Sequence, residues 1–196
     1  MRVIAGSARG VRLAPVPSGT RPVSDRAREG IFSSLGDLVV GAGVLDLYAG
    51  TGAMGIEALS RGAAHAVLVD HGEPAARTIR ENLKRTGLGA AQVRREDVRA
   101  ALRRLDLGPS EGGGFDLVFV DPPYATDPVV LTGVLEALRV HLAKNATIVL
   151  TRPRKSSTDV IPVDLPVAKT LGYGDTLAHL IRKDPSARKR SVPGNI

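Results

Sequence analysis

Short apolar runs alternate with amphipathic segments along most of this 196-residue chain. Short runs of this kind, bounded by glycine, proline or charged residues, indicate buried strands. The predicted strands are residues 44–47, 66–69, 91–94, 115–120, 146–151, 167–173 and 177–182. The last two meet at Gly174 and Asp175, which predicts a hairpin. Strands and helices therefore alternate, as is typical of an α/β fold.

Helices are predicted in the segments between these strands. The first, from residue 25 to about residue 38, carries apolar residues on one face: Ala27, Ile31, Leu35 and Leu38. Residues 74–86 begin with a proline and are followed by Gly87, which are common start and stop signals of a helix. Three further helices are predicted. One follows the first strand and ends at about residue 61, one begins at Glu96-Asp97 and extends to Leu105, and one runs from residue 127 to about residue 142.

A Gly-x-Gly-x-x-Gly turn at residues 50–55 follows the first strand, and its glycines allow a cofactor to lie against the backbone. Dinucleotide-binding dehydrogenases share this turn, together with an acidic residue about 20 positions later, here Asp70. Asp46 distinguishes a dinucleotide site from a site for a cofactor with a cationic group, because a carboxylate inside an apolar strand needs a cation or hydrogen-bond donors. The ammonium group of S-adenosyl-L-methionine would suit it, whereas a pyrophosphate would be repelled. Purely structural roles also fit: close helix packing for Gly55 and the end of a strand for Asp70.

The apolar run 115–120 ends in Asp121-Pro122-Pro123-Tyr124. The Asp121 carboxylate and the Pro122 carbonyl can accept both N–H groups of a planar amine, and Tyr124 can stack on a base. Two consecutive prolines stiffen this turn. An Asp-Pro pair is also a common turn after a strand, but the glycine-rich turn favours a site that holds an amino group.

Together the two motifs resemble the class I S-adenosylmethionine-dependent methyltransferases that modify amino nitrogens. More narrowly, the chain is similar to the RsmD family, bacterial 16S ribosomal RNA guanine-N2 methyltransferases, over about residues 1–183. The matching segments are Arg2-Val3-Ile4-Ala5-Gly6, Arg9-Gly10, Leu13, Thr20-Arg21-Pro22, Asp25-Arg26-x-Arg28-Glu29, Phe32 and Tyr173-Gly174-Asp175-Thr176. Three positions depart from the family: Ala5 replaces a glycine, Asp70 replaces a glutamate, and Thr151-Arg152 stands where an acidic residue is common.

The resemblance implies a Rossmann-like, mostly parallel sheet with an antiparallel C-terminal hairpin and a short N-terminal β-hairpin. It also implies direct methyl transfer to a guanine amine. The implied catalytic residues are Asp121, Pro122, Pro123 and Tyr124. The implied cofactor residues are Asp46, Tyr48, Gly50, Thr51, Gly52, Gly55, Asp70, His71, Asp97 and Val98. Asp97 occupies the position that contacts adenine in this fold, and helix capping is an equally good interpretation of it.

The chain carries a net charge of +7 and has a pI near 10.2, which favours a polyanionic partner. The predicted RNA contacts are Arg2, Arg9, Arg12, Arg21, Arg26 and Arg28, and residues 2–6 and 11–13 predict a hairpin that presents some of them. Arginine outnumbers lysine 21 to 6, so some arginines are expected to be solvated surface only. The expected divisions are an RNA-contacting extension at 1–24, a methyltransferase domain at 25–183 and a basic, disordered tail at 184–196. The expected partner is 16S ribosomal RNA within a small-subunit assembly particle.

Several classes are disfavoured by composition. Without cysteine the chain has no thiolate to attack a pyrimidine, which excludes the usual route to carbon-5 methylation. Its four histidines lack metal-binding spacing, and no signal peptide or membrane span is evident, so we expect a cytoplasmic monomer without metal. A DNA amino-methyltransferase, a protein-glutamine methyltransferase and a catalytically silent RNA-binding module stay open as alternatives.

Overall fold

The structure is a computed structural model that describes residues 1–15, 23–104 and 113–183. Five helices are described: α1 (Asp25–Leu35), α2 (Ala53–Ser60), α3 (Glu73–Thr86), α4 (Val98–Arg104) and α5 (Pro128–Leu138). Seven strands alternate with them: β1 (Gly43–Leu47), β2 (His65–Asp70), β3 (Ala91–Arg95), β4 (Phe115–Val120), β5 (Leu142–Pro153), β6 (Val167–Tyr173) and β7 (Thr176–Arg182). Short 3-10 helices follow α1 and α5 at Gly36–Val39 and Arg139–His141.

The strands form one sheet in the order β3-β2-β1-β4-β5-β7-β6. The first five strands are mutually parallel, and β7 runs antiparallel to both β5 and β6. The predicted mixed sheet with a C-terminal antiparallel hairpin is therefore confirmed. The chain moves outward from β1 through β2 to β3 and then returns to β4 on the other side of β1. Ligands bind in open α/β sheets at the carboxyl ends of strands on either side of such a reversal.

The central strands of the sheet are buried on both faces, whereas the edge strands β3 and β6 are partly exposed. On one face Leu45, Val118 and Ile148 pack with the apolar residues of α4 and α5. On the other face Val44 and Phe119 pack with α1, α2 and α3. Strands covered on both sides consist mostly of apolar residues, which explains why apolar runs in the sequence identified the central strands.

Two predicted helices are shorter than the sequence indicated. The helix expected to reach residue 38 ends at Leu35, because Gly36 adopts a φ of 53° and the chain tightens into a 3-10 turn. The helix expected to reach residue 142 ends at Leu138, and the chain enters β5 already at Leu142, with a register shift against β4. Leu105 lies outside the described residues, as does the predicted tail at 184–196.

The N-terminal segment, residues 1–15, folds back on itself and packs on α2. Its antiparallel pairing is narrower than the predicted hairpin: a single bridge joins Arg2 and Arg12, flanked by a 3.0 Å hydrogen bond from the Val3 N–H to the Val11 carbonyl. Val3 and Leu13 are buried with apolar side chains of α2. Within the described ranges no helix is long and apolar enough to cross a membrane.

Candidate active site

The turn between β1 and α2 has an unusual backbone. Tyr48 has a φ of 59° and is the one non-glycine residue with positive φ in the described part of the chain. Gly50 and Gly52 follow with φ of 56° and 76°. A left-handed tyrosine costs conformational energy, and such strain persists where the surroundings impose it, often at functional sites. A Cβ on Gly55 would lie 2.9 Å from the Leu68 side chain, so this glycine also has the packing role considered above.

Two carboxylates hold this turn through main-chain amides. Asp70, at the end of β2, accepts hydrogen bonds from the N–H groups of Gly50 at 2.9 Å and Gly72 at 2.8 Å. Asp46, inside β1, accepts one from Gly55 at 2.9 Å. The turn is therefore bound to both strands that flank it, and its shape is set before any ligand arrives.

Asp46 is 1% exposed and forms no ion pair with the described residues. Burial raises the pKa of Asp46 well above its ordinary value, and the nearby charges of Asp121 and Asp70 raise it further, against the Gly55 hydrogen bond. A buried carboxyl group with one donor retains capacity for a cation. The residues present therefore fit the ammonium group of an amino-acid-like cofactor.

Asp121 follows β4 and lies at the same carboxyl-terminal edge of the sheet as the glycine turn after β1. The Thr151 hydroxyl on β5 donates a hydrogen bond to its carboxylate. Burial raises the pKa of Asp121 to about 6, and the Thr151 hydrogen bond opposes that rise. Near neutral pH this group is thus mostly an acceptor, and it is a far better proton acceptor than an ordinary aspartate.

Asp121 lines a partly open cleft. Helix α1 and the residue before it contribute Ser24 and Ala27, and the β6–β7 turn contributes Tyr173 and Thr176. Tyr124 also lines the cleft and is 44% exposed. The cleft is open to solvent on one side, so a planar group could approach the Asp121 carboxylate from there.

Three further residues predicted to bind the cofactor, Asp97, His71 and Val98, differ from one another in exposure. Asp97 caps α4, accepting hydrogen bonds from the N–H groups of Arg99 and Ala100 at 3.0 and 3.1 Å, and 62% of its side chain is exposed. Burial, then the charge of Asp97, raises the pKa of Tyr48. The His71 side chain is 78% exposed beside Asp70. The Val98 side chain is buried in the core, so it cannot contact a ligand directly.

Of the six arginines predicted to contact RNA, four are exposed, one is buried and one lies outside the described residues. Exposed side chains are found at Arg2, Arg9, Arg12 and Arg26. Arg21 lies outside the described residues.

Arg28 is fully buried, and the prediction that it contacts RNA is wrong. Its guanidinium donates hydrogen bonds to the Arg2 carbonyl and to Asp25, and it lies 3.8 Å from Glu57. Helical periodicity places Arg28 on the inward face of α1 with Ile31 and Leu35, where it anchors the N-terminal segment.

The sequence reasoning missed the polar residues that dock the N-terminal segment. The Glu57 carboxylate accepts hydrogen bonds from the N–H groups of Ile4 at 2.8 Å and Ala5 at 3.0 Å, and Ser60 accepts one from Ala8 at 3.0 Å. These are polar side chains inside the otherwise apolar helix α2, a signal that was present in the sequence.

Two other residues were also missed. Asn82 on α3 is fully buried; it accepts from the Ala14 N–H at 2.6 Å and donates to the Thr51 carbonyl at 2.9 Å. It therefore ties the N-terminal segment to the glycine turn. Thr151 was noted only as a departure from the family pattern, and its bond to Asp121 depends on the pairing of β4 with β5.

Comparison with known proteins identifies the family. The family described as conserved hypothetical protein 95 matches residues 1–182. The Bacillus subtilis protein named "Putative rRNA methyltransferase YlbH" is 36% identical over 93% of this chain and 99% of its own length. Ribosomal RNA small subunit methyltransferase D of Escherichia coli K12 is 39% identical over 63% of this chain and 60% of its own length. The solved structure of a hypothetical protein of Thermus thermophilus, TTHA0928, superposes with a TM-score of 0.77 at 35% identity, covering 92% of this chain and 98% of that one. The chain therefore belongs to this family and is an RsmD-like class I methyltransferase.

Proposed function

We propose that this methyltransferase transfers a methyl group from S-adenosylmethionine to the exocyclic N2 amine of a guanine in 16S ribosomal RNA. The observation that carries the proposal is the partly buried Asp121 carboxylate, which accepts a hydrogen bond from Thr151 and lines a cleft together with Tyr124. A conjugated amine is a poor nucleophile, so a site that fixes its orientation supplies much of what the reaction requires.

On the cofactor side, Asp46 suits the ammonium group and Asp70 suits the ribose hydroxyls. Asp70 already accepts two main-chain N–H groups, but a carboxylate has about four acceptor positions and can take hydroxyl donors as well. The Asp97 carboxylate is exposed, so a ring amine could reach it. When bound, S-adenosylmethionine supplies a methyl group that is already activated by the positive sulfur.

On the acceptor side, Asp121 accepts one N–H of the target amine and the Pro122 carbonyl accepts the other. Once alkylated, the nitrogen is cationic and must lose a proton. Because the pKa of Asp121 is raised to about 6, its carboxylate can take that proton and pass it to solvent. Tyr124 offers its ring to the face of the base.

The exposed arginines support an RNA substrate. Arg2 and Arg12 face each other across the N-terminal bridge, and like charges placed directly opposite are destabilising unless an anion lies between them. No ion pair among the described residues involves Arg2, Arg9, Arg12 or Arg26. Phosphate groups would satisfy this unpaired charge.

The class of RNA is inferred from the relatives, several of which are named for ribosomal RNA of the small subunit. Adenine and cytosine also carry exocyclic amines, so the site alone does not select the base. Guanine is inferred from the resemblance of the N-terminal motif to the RsmD family. We further propose that a monomer acts in the cytoplasm on a small-subunit assembly particle, with residues 1–24 as the RNA-contacting extension.

The test is transfer of a labelled methyl group into four substrates: transcribed 16S ribosomal RNA, small ribosomal subunits from a strain without the gene, 23S ribosomal RNA and duplex DNA. We expect label in the 16S substrates, located by nucleoside mass analysis at N2 of one guanine. Label in DNA adenine or cytosine would refute the assignment. Label on a different atom of ribosomal RNA, such as N6 of adenine, would also refute it.

A further inference from the structure

The turn between β6 and β7 forms one wall of the acceptor cleft, and it is fixed from two directions. From the end of β5, the Arg154 guanidinium donates to the Gly174 carbonyl at 2.9 Å, and the Arg154 N–H donates to the Asp175 carbonyl at 2.7 Å. These contacts hold a hairpin turn that would otherwise project freely from the sheet edge. The wall is therefore set relative to β5, which also carries Thr151.

The same wall is joined to α1. Gly30 leaves room for Tyr173: a Cβ at this position would lie 1.9 Å from the Tyr173 hydroxyl oxygen. Helix α1 provides Ala27 on the other side of the cleft, and Arg26 is close enough that its charge acts on Tyr173. Close packing of α1 against the end of β6 therefore joins these two elements beside the cleft.

Across the opening, the Tyr124 hydroxyl and the Thr176 hydroxyl are hydrogen-bonded at 2.8 Å. Tyr124 is nevertheless 44% exposed, so packing alone does not fix its ring. An exposed aromatic side chain loses rotamer freedom when it becomes ordered. A hydrogen bond at its tip restricts the ring in advance while leaving ring surface open to a ligand.

We propose that Thr176 is a positioning residue that holds the Tyr124 ring as a stacking surface for an unpaired purine beside Asp121. The β6–β7 turn then determines, through Tyr173 and Thr176, which flipped-out base fits the cleft. This inference depends on the proposed function, because it specifies the acceptor side of that site. It assigns a role to the Tyr173-Gly174-Asp175-Thr176 segment, which the cofactor side does not use.

The experiment is a double-mutant cycle in the full-length protein. Thr176→Val and Tyr124→Phe each remove one hydroxyl and keep the shape of the side chain. We expect each to lower kcat/KM for transcribed 16S ribosomal RNA by about threefold to tenfold, the range of one lost neutral hydrogen bond. The kcat/KM of the double variant is expected to be no lower than that of the less active single variant, because both substitutions remove the same hydrogen bond. The dissociation constant for S-adenosylmethionine and the unfolding midpoint are expected to stay at wild-type values.

Thr170→Val is the matched control, because its hydroxyl bonds His179 at 3.0 Å in the same hairpin, away from the residues that line the cleft. It is expected to keep wild-type activity, and Thr176→Ser, which restores a hydroxyl, is expected to recover most of the rate. Full activity of Thr176→Val, additive losses in the double variant, or equal losses in Thr170→Val would overturn the inference. Failure of the wild-type protein to methylate any 16S substrate would instead refute the proposed function, and this inference with it.

Discussion

The cofactor side and the acceptor side of this site are built in different ways. Most of the cofactor side lies within residues 46–72, the continuous β1-α2-β2 unit and the residues just after it, and carboxylates hold it by accepting main-chain N–H groups. The acceptor side combines four distant segments and is held by side chains: Thr151 with Asp121, and Tyr124 with Thr176. The hydroxyl contacts of the acceptor side join segments outside the glycine turn, so single substitutions there leave the contacts of that turn in place. The acceptor side is therefore the side on which specificity can change without loss of the cofactor.

Both sides also contain a carboxyl group whose pKa is raised by burial, yet the two groups have different partners. Asp46 has one main-chain donor and stays close to two other carboxylates. Asp121 has a hydroxyl donor that moderates its pKa. This difference suits Asp46 to a permanent cation and Asp121 to a proton that must come and go.

Asp121→Ala should break the acceptor side alone, and we expect the largest effect here. Loss of the acceptor for the amine and for its proton should lower kcat by about 100- to 10,000-fold. The dissociation constant for S-adenosylmethionine, measured by calorimetry, should change little. Asp127→Asn is the matched control, since Asp127 only caps α5 in the same connection; equal losses in both variants would show that the loop, and not the carboxylate, matters.

Asp46→Asn should break the cofactor side alone. The amide oxygen can keep the Gly55 hydrogen bond but carries no charge, so S-adenosylmethionine should bind about 10- to 100-fold more weakly. In the wild-type protein the raised pKa of Asp46 means that binding a cation releases a proton, so affinity should increase with pH. Calorimetry in buffers of different ionisation enthalpy measures that proton, which should be absent in the variant.

The stability of the ligand-free protein should respond in the opposite sense. Because the folded-state pKa of Asp46 is raised, its contribution to stability is complete below the unfolded-state pKa and is lost as pH rises through the folded-state pKa. Asp46→Asn should therefore raise the unfolding midpoint at neutral pH. A lower midpoint would show that the charged form is stabilised by the protein itself.

Arg2→Ala, Arg9→Ala and Arg12→Ala test whether the N-terminal segment belongs to the acceptor side. Each should weaken binding to 16S ribosomal RNA by a few-fold and reduce the slope of log affinity against log salt by about 1. Cofactor affinity should stay unchanged. Arg103→Ala, on the exposed surface of α4, is the control and should leave the salt dependence intact.

Thr151→Val is the mildest change and sharpens the comparison between the two carboxyl groups. Loss of the hydroxyl donor should raise the pKa of Asp121 above about 6, so the acidic limb of the pH–kcat/KM profile should move to higher pH. At pH 9 the variant should retain activity within about twofold of wild type, since Asp121 is ionised in both. An unchanged acidic limb would mean that another group controls it.

The amino-acid sequence by itself determined the strands, the glycine turn and the Asp-Pro-Pro-Tyr corner, because apolar runs and local turn chemistry act over a few residues. Asp46 could be singled out for the same reason: a charge within an apolar strand is conspicuous wherever the strand lies. Only the tertiary structure decided the partners of Asp121 and Tyr124, which are 30 and 52 positions away along the chain. It also decided that Arg28 is buried. Glu57 and Ser60 hold the N-terminal segment on α2, which places the Arg2 carbonyl against the Arg28 guanidinium. Such contacts arise from sheet pairing and helix packing between distant segments, which no local pattern encodes.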